Sequence, residues 1–406
     1  MSVVIIGTLD TKAEEIGFAR DVLEDQGVDV HIVDAGVMGE PGFEPETTAS
    51  EVADAAGTTL EHLREEADRG EAMEAMGEGA AEIARRLRDE GVLDGVFGLG
   101  GSGNTSIATA AMRALPVGVP KVMVSTMASG DTEPYVDARD VTMMYSVADI
   151  EGLNQLSRRI ISNAALAMVG MVTNDPDVDA EEQPTIAVTM FGVTTPCVQA
   201  VRERLEELGY EVIVFHATGT GGRAMESLVE EGVVDGVLDV TTTERADELV
   251  GGVLSAGPDR LEAAGDAGIP QVVSTGALDM VNFGPRDSVP DEFEGRQFHI
   301  HNPQVTLMRT TPEENAELGE IIAEKLNAAT GPTALALPLE GVSAIDVAGE
   351  DFHDPEADAT LFDALRSSLD EDVELLEVET DINDESFAET LAETLDRFMR
   401  AAGRAP

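Results

Sequence analysis

A chain of 406 residues with one cysteine, Cys197, holds no intramolecular disulfide and no cysteine-rich metal site. Lysine is nearly as scarce: Lys12, Lys121 and Lys325 are the only three. The 25 basic residues face 80 acidic ones, for a net charge of -55. No basic patch stands out. That excludes nucleic acid and anionic membrane surfaces as partners, because both require cations that displace counterions from phosphates. Nor is there a run of about 18 apolar residues, the length a membrane-spanning helix needs. The start, Met1-Ser-Val-Val-Ile-Ile6, lacks the basic flank and apolar length of a signal peptide, so a cytoplasmic protein is expected. Uniform acidity reads as a halophilic surface, one that stays hydrated where salt shortens the Debye length to a few ångströms.

What the chain does contain is alternation. Apolar runs of strand length at 3–6, 29–33, 95–99, 121–125 and 141–145 are separated by segments of helical period, which predicts parallel sheets covered by helices. A helix is expected over about 152–171, apolar enough on one side to lie buried between units. The acidic, proline-bounded run 173–184 reads as a linker, dividing the chain into 1–180 and 184–406. Beyond it the pattern restarts. Val4-Ile-Ile-Gly-Thr-Leu-Asp10 lines up with Ile186-Ala-Val-Thr-Met-Phe-Gly192, Asp94-Gly-Val-Phe97 with Asp235-Gly-Val-Leu238, and Lys121-Val-Met-Val-Ser125 with Gln271-Val-Val-Ser274. The first copy carries an insert at roughly 39–80. Two tandem Rossmann-like, doubly wound α/β units with mainly parallel sheets are the expected fold.

Ligands in such folds sit at the carboxyl ends of the strands, where this chain concentrates glycine, hydroxyls and aspartate. Gly100, Gly101, Ser102, Gly103, Asn104 and Thr105 form a candidate phosphate cradle. Glycines admit an oxyanion close to the backbone, and the next helix offers free N–H groups and a positive dipole end. Gly98, Gly100 and Gly103 fit Gly-x-Gly-x-x-Gly, yet the next strand ends in Ser125-Thr126 and not in a ribose-binding carboxylate; no lysine precedes Thr105 as in a Walker loop. Asp10, Thr11 and Lys12 form a second loop, with Lys12 as a point charge for phosphate. Thr126, Ser129, Gly130 and Asp131 form a third, and Asp131 is the expected Mg²⁺ ligand. Asp34 ends the second strand, where a ribose-binding carboxylate sits in many nucleotide folds. For all of these the alternative is a tight turn or helix cap that serves packing alone.

In the second half His216 precedes the glycine-rich run 218–222 and is the candidate acid or base beside an anion pocket. Glu226, Glu244 and Asp279 are further acid–base candidates. His299-Ile-His301 puts two imidazoles on one face of a strand, as metal ligands sometimes are. Cys197 is expected to be buried packing.

These loops carry a resemblance. Gly7-Thr-Leu-Asp-Thr-Lys12, Gly98-Leu-Gly-Gly-Ser-Gly103, Val124-Ser-Thr-Met-Ala-Ser-Gly-Asp-Thr132, Met143-Met-Tyr-Ser-Val147, Phe215-His-Ala-Thr-Gly-Thr-Gly-Gly222, Asn282-Phe-Gly284, His301-Asn-Pro303 and Met308-Arg-Thr-Thr311 occur in an order that resembles the Tm-1-like ATP-binding family, also filed as UPF0261. Its named member is the N-terminal domain of the tomato mosaic virus resistance protein. The resemblance implies two Rossmann-like subdomains, a homodimer, and ATP with Mg²⁺ on the first subdomain. It implies no particular reaction. Three readings stay open: ATP-dependent action on a small phosphorylated or carboxylate metabolite; a nucleotide-responsive protein-binding module without turnover; and an isomerase, lyase or hydrolase whose glycine loops grip the substrate itself, without ATP.

Overall fold

The computed structural model describes residues 1–65, 68–174 and 183–406. It divides into two compact units, 1–178 and 179–406. Most of the expected linker, residues 175–182, lies outside the described residues.

The first unit is built on β1 (Ser2–Gly7), β2 (Asp29–Asp34), β3 (Gly95–Gly100), β4 (Lys121–Ser125) and β5 (Thr142–Tyr145). All pair in parallel, in the order β2-β1-β3-β4-β5. Period-two alternation sends Val3 and Ile5 to one face and Val4 and Ile6 to the other, and both faces are buried. That is why β1 reads as one unbroken apolar run. The helices are α1 (Ala13–Glu24), α2 (Ala49–Ala55), α3 (Leu60–Glu65), α4 (Arg69–Asp89), α5 (Ser102–Arg113), α6 (Glu133–Val136) and α7 (Gln155–Thr173). On one face α1 and α7 cover the sheet through Ile16, Leu23, Ile161 and Met168; on the other, α4 and α5 do so through Met76, Ile83, Ile107 and Met112. Helix α7, over the segment expected to be helical, packs on its own sheet.

The second unit carries β6 (Thr185–Met190), β7 (Glu211–His216), β8 (Gly236–Thr241), β9 (Gln271–Gly276), β10 (Met280–Phe283), β11 (Phe298–Asn302), β12 (Val305–Arg309), β13 (Thr333–Pro338) and β14 (Glu374–Val378). Six of these form a parallel sheet, β14-β13-β9-β8-β6-β7, so its first four strands follow the order of the first unit. A three-stranded antiparallel sheet, β10-β12-β11, lies in sequence between β9 and β13 and has no counterpart among the described residues of the first unit. Helices α8 (Thr195–Glu207), α9 (Thr220–Glu230), α10 (Glu244–Val250), α11 (Ala263–Asp266), α12 (Pro312–Asn327), α13 (Pro355–Ser368) and α14 (Glu385–Ala401) complete the unit. Among the described residues no helix is long and apolar enough to cross a membrane.

Candidate functional site

In the first sheet the chain leaves β1 toward β2 and leaves β3 toward β4, so the loops after β1 and β3 part company. A crevice at the carboxyl ends of the strands follows from that reversal of order. Here it widens into a cavity of about 650 Å³. Thr8, Asp10, Thr11 and Lys12 line it from the loop after β1, and Gly101, Ser102, Gly103 and Asn104 from the turn into α5. The insert supplies the opposite wall: Leu63 and Arg64 of α3, then Asp68, Arg69, Ala72 and Met73 at the start of α4.

Local hydrogen bonds set this geometry. Asn104 Nδ2 donates to Leu99 O at 2.7 Å and to Ile6 O at 3.4 Å, tying the ends of β3 and β1 together where they diverge. The rim at 37–39 is gripped by both polarities: Asp10 Oδ2 accepts from Met38 N (2.9 Å) and Gly39 N (3.1 Å), while Arg64 donates to Val37 O (2.5 Å) and Gly39 O (3.0 Å). No side chain caps α5, because Gly101 stands at its N-cap. Its first N–H groups are therefore available to an outside acceptor. Among the described residues Lys12 and Arg69 form no ion pair. Asn104 Oδ1, in a residue only 6% exposed, is a buried acceptor with no partner, as is Asp10 Oδ1.

The glycine motif separates into two kinds. A β-carbon on Gly98 would stand 2.7 Å from Met123 Sδ and 2.8 Å from Ala108, and one on Gly100 would stand 2.7 Å from Asn104 Cβ. Those two glycines serve packing. Gly101 and Gly103 meet nothing closer than 3.9 Å and 3.6 Å respectively, so their missing side chains leave open space in the cavity.

Of the residues singled out from sequence, the fold brings Asp10, Thr11, Lys12, Gly101, Ser102, Gly103 and Asn104 together. The others do not line the cavity. Thr105 is fully buried, its hydroxyl 2.8 Å from Gly101 O and 2.7 Å from Ser125 Oγ. Asp34 accepts from Leu9 N and Gly36 N through Oδ1, and burial raises its carboxyl above the usual range. Through Oδ1 it braces the loop after β1, and it is not among the residues that line the cavity. Thr126, Ser129, Gly130 and Asp131 follow β4, one strand further from the crevice. Asp131 is exposed and its Oδ1 accepts from Glu133 N at 3.1 Å. Among the described residues no group of three His, Cys, Asp or Glu is placed to hold a metal ion; His299 Nδ1 lies 2.7 Å from Asp351. Arg64, Arg69 and Met73 were missed, though two arginines in an otherwise acidic insert were a readable signal.

The profile of the Uncharacterised protein family (UPF0261) N-terminal domain matches residues 1–177, and that of its C-terminal domain matches 183–399. This chain belongs to the UPF0261 family. A UPF0261 protein of Clostridium tetani is 55% identical over 398 residues, 98% of either chain. The ToMV resistance protein Tm-1(GCR237) of Solanum lycopersicum is 48% identical over 333 residues, 80% of this chain and 44% of that one. A solved UDP-GlcNAc 2-epimerase of Methanocaldococcus jannaschii aligns with 67% of this chain and 83% of its own at 14% identity and a TM-score of 0.23, too faint a likeness to carry an argument.

In the UPF0261 C-terminal domain the glycine-rich turn into α9 already holds an anion, and it is internal. Glu244 Oε1 accepts from Gly219 N (2.7 Å) and Gly222 N (3.0 Å), while Oε2 accepts from Arg260 Nε (2.7 Å). Arg260 also forks onto Asp239 at 2.5 and 2.8 Å, and Glu226 lies 3.6 Å away. Arg260, Asp239 and Glu244 are all buried. The expectation of Glu244 as an acid or base for a substrate is thereby corrected. His216 ends β7 exposed, edge-on to Phe191 and beside a pocket already filled. A β-carbon on Gly221 would collide with His216 O, and one on Gly222 with the Glu244 carboxylate, so this glycine run is explained by packing.

Asp279 is corrected in the same way. It is fully buried, accepts from Ser343 Oγ at 2.8 Å, and belongs to a second cluster in which Asp279, Asp346 and Asp358 surround Arg309. Cys197 is buried as expected, and burial pushes its thiol up to about 12.

These clusters, together with the buried Asp247 that accepts from Leu254 N and Asn282, have a pH signature. Burial pushes the carboxyls of Glu226 and Asp247 up to about 7, and burial together with Asp279 and Asp358 pushes Asp346 up to about 9. Between about pH 4 and 9 the folded state therefore binds more protons than the unfolded chain, so stability falls as pH rises through that window. Thermal unfolding from pH 5 to pH 9 is expected to show this decline. Asp346→Asn is expected to flatten it between pH 7 and 9; an unchanged slope would discount the cluster.

Proposed function

We propose that the first unit is a nucleotide-binding unit that takes ATP, with the phosphates at the N-terminus of α5 and the remainder of the nucleotide along the apolar wall of Val37, Leu63, Ala72 and Ile107. One observation carries the reading: the uncapped end of α5 opens into a cavity that also holds the ammonium of Lys12, which has no ion-pair partner among the described residues. A helix N-terminus stabilises an anion through its free N–H groups and dipole, and Lys12 adds a full charge. The resemblance of the loops to the Tm-1-like ATP-binding family is consistent with it.

The described residues form no preformed Mg²⁺ cage. Magnesium is commonly held mainly by the phosphates and water, so it would enter with the nucleotide. In this proposal the chain's own residues bind and orient: N–H groups and Lys12 neutralise charge, and the insert screens the cavity from water. We carry an intracellular homodimer as part of the same proposal, with light scattering as its check.

Calorimetric titration with ATP, ADP, NAD, NADP and inorganic phosphate in concentrated KCl with Mg²⁺ tests the reading. ATP is expected to bind, and Lys12→Ala to weaken it by roughly 10- to 100-fold, the worth of a charged hydrogen bond. If phosphate alone binds as tightly as ATP, the glycine loops grip a small phosphorylated metabolite instead. If nothing binds, or Lys12→Ala binds like wild type, the assignment fails.

A further inference from the structure

We infer that Arg69 is a ligand-binding residue that selects for a chain of phosphates over a single one; the inference rests on the nucleotide reading above. Arg69 is the first residue of α4, directly after the capping Asp68, whose Oδ1 accepts from Glu71 N at 2.9 Å. Its guanidinium also reaches the next helix: Nη2 lies 4.0 Å from where a β-carbon on Gly103 would stand, and Gly103 is the second residue of α5. One cation thus stands at the amino ends of two helices. That is the unfavourable end of both dipoles for a positive charge.

Nothing described offsets it. Arg20 pairs with Asp21 (2.8 Å) and Arg85 with Glu82 (3.3 Å), whereas Arg86, Arg88, Arg158 and Arg159 also form no ion pair among the described residues; what sets the exposed Arg69 apart is its place at two helix amino ends on the cavity wall. Arg64, its neighbour in the cavity wall, is satisfied by Val37 O and Gly39 O. In a chain with 80 carboxylates, Arg69 pairs with none among the described residues. The cavity's carboxylates, Asp10, Asp68 and Asp149, each accept from backbone N–H groups, of Met38 and Gly39, of Glu71 and of Ile150, and none pairs with Arg69 among the described residues. Asn104 Oδ1 on the same wall is a buried acceptor with no partner; it suits a hydroxyl or amino donor of a guest and not a phosphate oxygen.

An anion on the first N–H groups of α5 would lie beneath Arg69 and beside Lys12. A guanidinium engages two oxygens at once, while an ammonium acts as a point charge. Two cations of different reach around one helix end suit adjacent phosphates. A monophosphate satisfies the helix and one cation and leaves the other unpaired.

The test titrates wild type, Arg69→Ala, Arg69→Lys and Lys12→Ala with ATP, ADP and AMP, and records thermal unfolding without nucleotide. Arg69→Ala is expected to weaken ATP about tenfold more than AMP. Arg69→Lys should recover part of the loss, and the unliganded melting temperature of Arg69→Ala should be unchanged or higher. Equal loss for ATP and AMP, or a lowered unliganded melting temperature with ATP affinity intact, overturns the inference. If Arg69→Ala binds ATP within twofold of wild type while Lys12→Ala does not, Arg69 falls and the site stands. If wild type binds none of the three, both fall together.

Discussion

Glu244→Ala is expected to destabilise the second unit by roughly 2–5 kcal/mol, the cost of leaving several buried donors without an acceptor, while Asp239 still pairs the Arg260 charge. The substitution strands Arg260 Nε and the N–H groups of Gly219 and Gly222, and it empties the space that Gly222 keeps clear. Stranded donors of both kinds invite an external anion. Acetate or formate should therefore restore part of the loss in Glu244→Ala and do nothing for wild type. Glu244→Gln separates the two contributions, because an amide oxygen still accepts from the backbone while the charge is gone. Denaturant titration with and without acetate checks this. A loss under about 1 kcal/mol, or no anion response, would mean the carboxylate is not what completes that turn.

Gly101→Val is expected to abolish nucleotide binding while the protein stays folded. The nearest atom to a β-carbon there is Thr126 Oγ1 at 3.9 Å, and the backbone φ of -81° suits any residue. The added side chain enters the cavity. Overfilling a close-fitting space costs up to about 3 kcal/mol, on the order of a 100-fold loss of affinity. Gly98→Ala is the contrasting control, since its methyl meets Met123 and Ala108 and should lower the melting temperature. Wild-type affinity in Gly101→Val would move the ligand elsewhere.

Much of the fold was legible in the chain. Strands buried on both faces announce themselves as unbroken apolar runs, and the restart after residue 184 foretold a second α/β unit, though not the strand order that the two sheets share. The site was legible only in part. Glycine, serine and lysine at strand ends pointed to the crevice, but composition cannot tell an open glycine turn from an occupied one. The turn at 100–103 faces a cavity, whereas the turn at 219–222 is filled by a glutamate that is only two dozen residues away in sequence yet reaches it through the end of another strand. Asp34 and Thr105 misled for a related reason. A polar side chain at a strand end can turn inward to brace the loop, and their hydrogen bonds to Leu9, Gly36, Gly101 and Ser125 do so. The wall formed by Arg64, Arg69 and Met73 belongs to an insert whose helical pattern gives no hint of which loops it will meet.

The internal carboxylate of the second unit separates the two halves thermodynamically. A fold that carries its own anion has nothing to gain from free metabolite, so its melting point should not depend on nucleotide concentration. A fold whose anion must come from solution is stabilised in proportion to the logarithm of ligand concentration over its dissociation constant. On the proposed reading, the chain combines a half whose stability is independent of nucleotide with a half whose stability follows the nucleotide supply.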